Sequence, residues 1–398
     1  MIENFKTLFL EINKTNFSFF VGEIDEKNNF KINFKLNVPL EGIENNRISN
    51  LEKVFNLIKE NIYLIEEKLN YIFKDLVLII ENFNPKFINL SGFKKLNGSQ
   101  ISRENITYIL NTLKSYVDKT ELDKTTLHIF NSEFKLDEKK IENLPIGLFG
   151  NFYSHELSFT LINTNDYKNL MQIFDNCNLK IKKILLKSFI KGSYLSNKNI
   201  HTNTFFQIKI NKINSALFYF ENDALKFEQN FNFGSDIIFK DISKITSLKI
   251  ETVKNILNKI KFTQNLTKDE IIEKELFKDE SFRKIKKNLI YEIAYARIKE
   301  ISELILFKNI NLRCFNKSSM PIFFETNTKS QDYVFLQMYK TIFSTGDKFD
   351  VKLVEDLSSE ELLKTAHKIA HFGWNKEAIP VTQVKKSLIA KLFEAIFS

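Results

Sequence analysis

The chain has 398 residues, 43% of them apolar, with 58 Lys and Arg against 49 Asp and Glu and a net charge of +9. That length holds two domains or more and that apolar share builds ordinary cores, while Cys177 and Cys314 stand alone without a CxxC pair, which argues against a disulfide framework or a zinc site and fits a reducing compartment. There is no run of about 18 apolar residues to span a bilayer, and the N-terminus lacks the basic and apolar regions of a signal peptide, so a cytoplasmic protein is expected.

The stretch TLFLEINKTNFSFFVGEI (Thr7–Ile24) reads as strand, tight turn, strand, and a third strand is expected over Phe30–Leu36. Ser49-Asn50-Leu51-Glu52 reads as the capping box of a helix with Val54, Leu57, Ile58, Ile62, Ile65 and Leu69 on one face. DLVLIIE (Asp75–Glu81) is a buried strand, completing half of an actin-type domain. A different α+β unit is then expected over Val77–Asn163, with an amphipathic helix capped by Ser102 and strands at Thr126–Leu136 and about Phe152–Ile162. Thr164 is expected to cap a helix ending near Cys177, before a strand at Lys180–Leu186.

From Phe205 the three-strand pattern recurs, at Phe205–Lys212, Ala216–Phe220 and Leu225–Phe233, as a weak internal repeat of structure. Helices are expected to dominate Ser235–Phe307, the longest over Glu280–Phe307. Strands follow at Asn311–Phe315 and Ile322–Phe324, then helices near Gln331–Phe343 and Ser359–Phe372. NKEAIP (Asn375–Pro380) reads as a short linker to an isolated tail.

The composition is biased, with 40 Phe and only 10 Gly, where an average chain of this length carries about 28 Gly. Enrichment in Asn, Lys, Ile and Phe is what AT-rich coding produces. The Lys residues are spread along the chain, so the positive excess reads as a solvated surface as well as an attraction for anionic partners.

The order of these pieces and several short runs resemble the bacterial actin-like division protein family FtsA. ISRENITYIL, LHIFNSEFKLD followed by LPIGLFG, YARIKEISELI and TAHKIAHFG are similar to family segments and stand in the family's order. The resemblance implies an actin-like (ribonuclease H-like) two-lobed α/β fold with an inserted α+β subdomain. It divides the chain into a first lobe (1–76 and 164–199), an insert (77–163), a second lobe (200–233 and 309–374), a helical subdomain (234–308), a linker (375–380) and an amphipathic helix (381–398).

Against the family's first phosphate loop, D-I-G-T-T-K, this chain has Glu11-Ile12-Asn13-Lys14-Thr15-Asn16. Against the second, D-I-G-G-G-T-T-D, it has Lys209-Ile210-Asn211-Lys212-Ile213-Asn214-Ser215-Ala216. Against the adenosine loop it has Phe324-Glu325-Thr326-Asn327-Thr328. All three lack the glycines that let backbone amides approach phosphates. Of the ten glycines only Gly234 is placed to approach the cleft. Glu11 keeps a carboxylate, whereas Lys209 and Ala216 remove two family acids. Lys209 and Lys212 can still attract phosphate, and Asn adopts left-handed backbone more readily than most residues. The expectation is degenerate nucleotide loops (Glu11, Asn13, Lys14, Thr15, Lys209, Asn211, Lys212, Asn327), with no ATP, magnesium or catalysis, and a cleft filled by side chains, Phe among them.

In VTQVKKSLIAKLFEAIFS (Val381–Ser398), Val381, Val384, Leu388, Ile389, Leu392, Phe393, Ile396 and Phe397 fall on one helical face. Lys385, Lys386, Lys391 and Glu394 fall on the other, as in an interfacial membrane anchor. A helix docked on the protein's own body is the bland alternative, and the family carries its membrane-targeting helix at this place. The resemblance also places the C-terminal peptide of the tubulin-like protein FtsZ near Arg297, Glu300 and Lys286, with Lys284 and Lys287 nearby. For each residue alone, a solvated helix face serves equally. His367 and His371 have a metal-compatible i, i+4 spacing without a third ligand, which reads as a packed helix end. The Lys–Phe alternation is that of strands, not of a nucleic-acid surface.

The function expected is a non-enzymatic adaptor. It tethers FtsZ filaments to the cytoplasmic face of the inner membrane, self-associates into filaments and works with other division proteins. Two alternatives stay open: a pilus-assembly adaptor of PilM type, and an active actin-like ATPase.

Overall fold

The computed structural model describes residues 6–25, 29–81, 83–199, 202–259, 270–277, 280–315, 320–326, 335–346 and 349–378. They form two compact units, one from the chain up to Lys187 and from Ala366 onward, the other from Ser188–Thr365.

In the first unit β1 (Thr7–Ile12), β2 (Asn16–Ile24) and β3 (Phe30–Pro39) form an antiparallel meander. The short β4 (Ile43–Glu44) and β5 (Arg47–Ile48) precede α1 (Leu51–Leu69), whose buried stripe is Val54, Ile58, Ile62 and Ile65. β6 (Asp75–Ile80) pairs with β1 in parallel. Then β7 (Lys86–Lys95), α2 (Arg103–Thr120), β8 (Lys124–Leu136), β9 (Lys139–Ile141) and β10 (Phe152–Asn163) build a separate sheet in the order β7-β10-β8-β9. After α3 (Thr164–Asn176), β11 (Lys180–Leu186) returns to β6, giving the order β11-β6-β1-β2-β3. All six residues of central β1 are buried, whereas edge β3 alternates between covered and open positions, as central and edge strands should.

α4 (Lys187–Lys198) leads to the second unit. There β12 (Phe205–Ile210), β13 (Ser215–Glu221) and β14 (Ala224–Phe231) repeat the meander. The helices α5 (Asp236–Thr246), α6 (Ile250–Lys259) and α7 (Lys287–Ser302) follow, the last continued by a π-helical turn over Glu303–Phe307. β15 (Pro321–Thr326), α8 (Leu336–Gly346) and β16 (Asp350–Val354) complete the sheet in the order β14-β13-β12-β15-β16. The division between the units falls inside α9 (Ser359–Phe372).

The two sheets therefore share one plan: third, second and first strands of a meander, then two strands parallel to the first. This is the duplicated actin-like α/β architecture expected from the sequence. In the second sheet Phe206, Ile208, Ile210, Ile322 and Phe324 enter a core with helix residues such as Ile238, Ile298 and Phe343. Strand alternation sends Gln207, Lys209 and Glu325 to the opposite face. α4 reaches Phe220 closely: a Cβ on Gly192 would lie 1.8 Å from that ring.

Several expectations need correction. The inserted sheet begins at Lys86, and Val77–Ile80 stay with the first sheet because they pair in parallel with β1. The α1 cap is Asn50, whose side chain accepts from Lys53, while the Ser49 amide donates to Gly42. Asn163, not Thr164, caps α3. The long helix starts at Lys287 rather than Glu280, because Ile272, Ile285 and the backbone around Lys287 pair in extended form. Asn311–Phe315 is not a strand: Ile310–Leu312 is a 3-10 turn, capped by the Asn309 side chain.

The linker expected over Asn375–Pro380 is built into the first unit as far as Ala378. Glu377 bridges Phe130 of β8, and Ala378 is buried with Leu110, Leu157 and Phe159. Residues 379–398, including every proposed membrane contact from Val384 to Phe397, lie outside the described residues.

Candidate functional site

In parallel α/β sheets, ligands meet the carboxyl ends of the strands. In the first sheet three charged residues stand there: Glu11 near the end of β1, Glu81 just after β6 and Lys187 just after β11. Lys187 Nζ lies 2.7 Å from Glu11 Oε1 and 2.8 Å from Glu81 Oε2. Burial works against the lysine charge, but Glu81 and Glu11 outweigh it and hold the ammonium above the usual lysine range.

The second sheet has a matching trio, Lys209 in β12, Glu325 in β15 and Asp356 just after β16. Lys209 Nζ is 2.5 Å from Glu325 Oε1 and 3.3 Å from Asp356 Oδ2. Lys191 from α4 adds a second ammonium, 2.6 Å from Asp356 Oδ1 and 3.3 Å from Glu325 Oε1. Gln207 Nε2 donates to Glu325 Oε2 at 3.1 Å. Neighbouring side chains partly desolvate the exposed Asp356, but Lys191 and Lys209 outweigh this and hold its carboxyl far below the ordinary carboxylate range. A cavity of about 590 Å³ lies beside this network, lined by Lys191, Tyr194, Gln207, Phe323 and Asp356.

The turns after β1 and β12 are closed on themselves. Asn13 Oδ1 accepts from the amides of Thr15 at 3.0 Å and Asn16 at 2.8 Å, and the Asn13 amide donates to the Asn16 carbonyl. The side chains of Asn211 and Asn214 join at 2.7 Å, and their backbones pair at 2.9 Å. Gly234 packs on this second turn: a Cβ there would lie 2.1 Å from the Asn211 carbonyl and 2.6 Å from that of Lys212. Lys14, Thr15 and Lys212 are exposed. Asn327 lies outside the described residues. Among the described residues no group of three or more His, Cys, Asp or Glu is arranged to hold a metal ion.

Of the residues singled out in the sequence, the structure joins Glu11 to Lys187 and Lys209 to Glu325. Sequence reasoning missed the partners Glu81, Lys187, Lys191 and Asp356. The signal available was a charge placed directly after an apolar strand run, as in LIIE and ILLK.

On α7, Arg297 is paired with Asp241 and with Glu300, 2.6 Å away. The hydrogen bond to Asp241 raises the guanidinium pKa further, so this Arg is already balanced by acid. Lys286 stands at the start of the same helix, about 16 Å from Arg297 at 1.5 Å per residue, so the three expected peptide contacts do not form one cluster. His367 and His371 stack at 4.1 Å, and His367 Nδ1 lies 3.4 Å from Thr7 Oγ1. Phe30 and Lys182 stand alongside, and Asp75 is near enough to His371 to act on its charge. No described helix is long and apolar enough to cross a membrane.

No family model matches the chain. Among curated proteins it is 23% identical over 303 residues to "Cell division protein FtsA" of Buchnera aphidicola subsp. Schizaphis graminum, covering 74% of this chain and 71% of that protein. Proteins of the same name from the Buchnera of Acyrthosiphon pisum and of Baizongia pistaciae are each 22% identical, over 64% and 67% of this chain. The chain is similar to the cell division protein FtsA. The matches span 60% and 62% of the latter two FtsA relatives' own lengths. Among solved structures, the PilM-PilN type IV pilus biogenesis complex aligns with 93% of this chain and 99% of that chain, at 10% identity and a TM-score of 0.49. MreB5 of Spiroplasma citri bound to ADP aligns with 91% of this chain and 96% of its own, at 7% identity and a TM-score of 0.40.

Proposed function

We propose that this chain is a cell division protein of FtsA type that works as an adaptor rather than as an ATPase. The observation that carries the division role is the sequence similarity to three proteins named cell division protein FtsA. In this reading the body engages the C-terminal peptide of FtsZ, the last residues bind the inner face of the membrane, and copies associate into filaments, so that many weak anchors act together. The amphipathic pattern of Val381–Ser398 supports the anchor, with Val384, Leu388, Leu392, Phe393, Ile396 and Phe397 opposite Lys385, Lys386 and Lys391.

The non-enzymatic part is supported by the two sheet ends. Glu11 is neutralised by Lys187, Lys209 stands where the family has an acid, and the turn amides of Thr15 and Asn16 are taken by Asn13. Magnesium and phosphate would have to displace ion pairs and hydrogen bonds already made, so the residues present do not fit the family's nucleotide.

Co-sedimentation with anionic liposomes tests the adaptor reading, using the full chain and a chain ending at Pro380, each with and without an FtsZ C-terminal peptide. The full chain should sediment and retain the peptide, and the shortened chain should stay in solution. Equal sedimentation of both removes the anchor and favours a pilus-type adaptor.

A further inference from the structure

The two ion-pair networks occupy corresponding places and carry inverted charge. Glu11 and Lys209 are each the penultimate residue of the first meander strand, in β1 and β12. Glu81 and Glu325 mark the end of the next parallel strand, and Lys187 and Asp356 follow the outer one. In sheet order the first set reads acid, acid, base. The second reads base, acid, acid, with Lys191 added.

Glu11 and Glu325 are 6% and 3% exposed. Carboxylates so buried need a counter-charge, since an unpaired buried charge is strongly unfavourable. In the family that the sequence resembles, magnesium would supply that counter-charge. Here each network holds its own, with an ammonium in direct contact with the carboxylates. Lys187 spans two carboxylates from neighbouring strands, a task that a cation performs by bridging. Lys191 and Lys209 do the same for Glu325 and Asp356.

We propose that Lys187 in one sheet, and Lys209 with Lys191 in the other, are built-in counter-ions that replace the metal at the carboxyl ends of the strands. Each sheet is then complete without a ligand, and removal of Lys187 uncovers a site for a divalent cation between Glu11 and Glu81. This inference rests on the non-enzymatic reading above and gives it a physical cause.

The test is thermal unfolding of the full chain in EDTA, in magnesium or manganese chloride, and in magnesium with ATP, together with manganese binding by calorimetry. The parent protein should unfold at one temperature in all three conditions. Lys187→Met should unfold about 5–10 °C lower in EDTA and recover part of that loss in manganese, with manganese affinity at least tenfold above the parent's. Adding Glu11→Gln to Lys187→Met should restore stability in EDTA and abolish the manganese response, because no uncompensated pair of acids remains.

A parent protein stabilised by magnesium with ATP overturns the inference, as does a Lys187→Met protein with no response to manganese. If Lys187→Met does not fold, the double variant decides: folding supports a counter-ion role, and failure makes Lys187 a packing residue and sinks the proposal. A magnesium–ATP response would leave liposome binding untouched, so this failure is distinct from failure of the adaptor reading.

Discussion

Glu11 and Lys209 hold the same place in two sheets of the same strand order and carry opposite charges. Each is answered from the end of a parallel strand: Glu11 by Lys187 and Lys209 by Glu325. Charge at this position is therefore set by local pairing and cannot be exchanged freely. Returning the family's acid with Lys209→Asp would leave three carboxylates facing Lys191 alone. The variant should lose about 3–5 kcal/mol, read as a lower urea midpoint, and should gain no ATP hydrolysis. A neutral effect on stability would show that Lys209 contributes little to the network.

Restoring glycine to the turns should not restore nucleotide binding. Asn13→Gly with Asn211→Gly frees the amides of Thr15 and Asn16 but leaves Lys187 on Glu11 and Lys209 on Glu325. Titration calorimetry of the double variant with magnesium–ATP should give no more heat than the parent. The variant should also lose about 1 kcal/mol per turn, since each Asn side chain closes its own turn.

Gly192 permits the approach of α4 to the second sheet. A Cβ at this position would stand 1.8 Å from the Phe220 ring, which itself stacks on Phe205 at 4.9 Å. Gly192→Ala should cost about 1–3 kcal/mol by overpacking, although alanine is the better helix former by about 1 kcal/mol. Chemical denaturation gives the sign directly, and a stabilised variant would mean that the helix shifts without cost.

The meanders and the duplicated plan were readable because apolar alternation and turn residues mark strands locally. The inserted sheet was placed too early because only a short turn separates β6 from β7, so no long loop marks the boundary. β7 itself escaped notice: its sequence carries Gly92, a poor strand residue, which is required there because a Cβ would lie 2.5 Å from Ile109 of α2. The ion-pair networks were only half visible. Glu11 and Lys209 fall on recognisable motif positions, but Glu81, Lys187 and Asp356 are brought to them by strand order, which no local pattern encodes. Arg297 looked like a peptide contact from its helix alone, and its partner Asp241 comes from α5, 56 residues earlier.

Stability should fall in mild acid because of two buried histidines. Burial pushes both His155 and His367 from 6.5 down to about 4, with His371 and Lys182 adding to the effect at His367. Between about pH 6.5 and pH 4 the unfolded chain then binds more protons than the folded one, so stability rises with pH across that window and is level above it for these groups. Each histidine accounts for up to about 3 kcal/mol. Urea midpoints at pH 7.0 and pH 5.0 should differ, and His367→Gln should reduce the difference. An unchanged difference in that variant would place the acid sensitivity elsewhere.

Glu377 holds the last described residues to the first unit. Its carboxylate contacts Lys183 and lies 3.2 Å from His128 Nδ1. Burial disfavours its charge, and His128 followed by Lys183 reverses the balance, so the carboxyl is held below the usual range. On either side the Lys376 carbonyl accepts from Asn131 at 2.6 Å, and the Ala378 amide donates to Ile129 at 2.7 Å. Glu377→Ala would strand Lys183 and His128 without their acid and weaken both backbone bonds. Hydrogen exchange at the amides of Asn131 and Ala378 should quicken by tenfold or more, while global stability drops by about 1–3 kcal/mol. Since the variant leaves the sequence Val381–Ser398 unchanged, binding of the full chain to anionic liposomes should persist. Loss of liposome binding with the body still folded would instead make the segment around Glu377 part of the membrane contact.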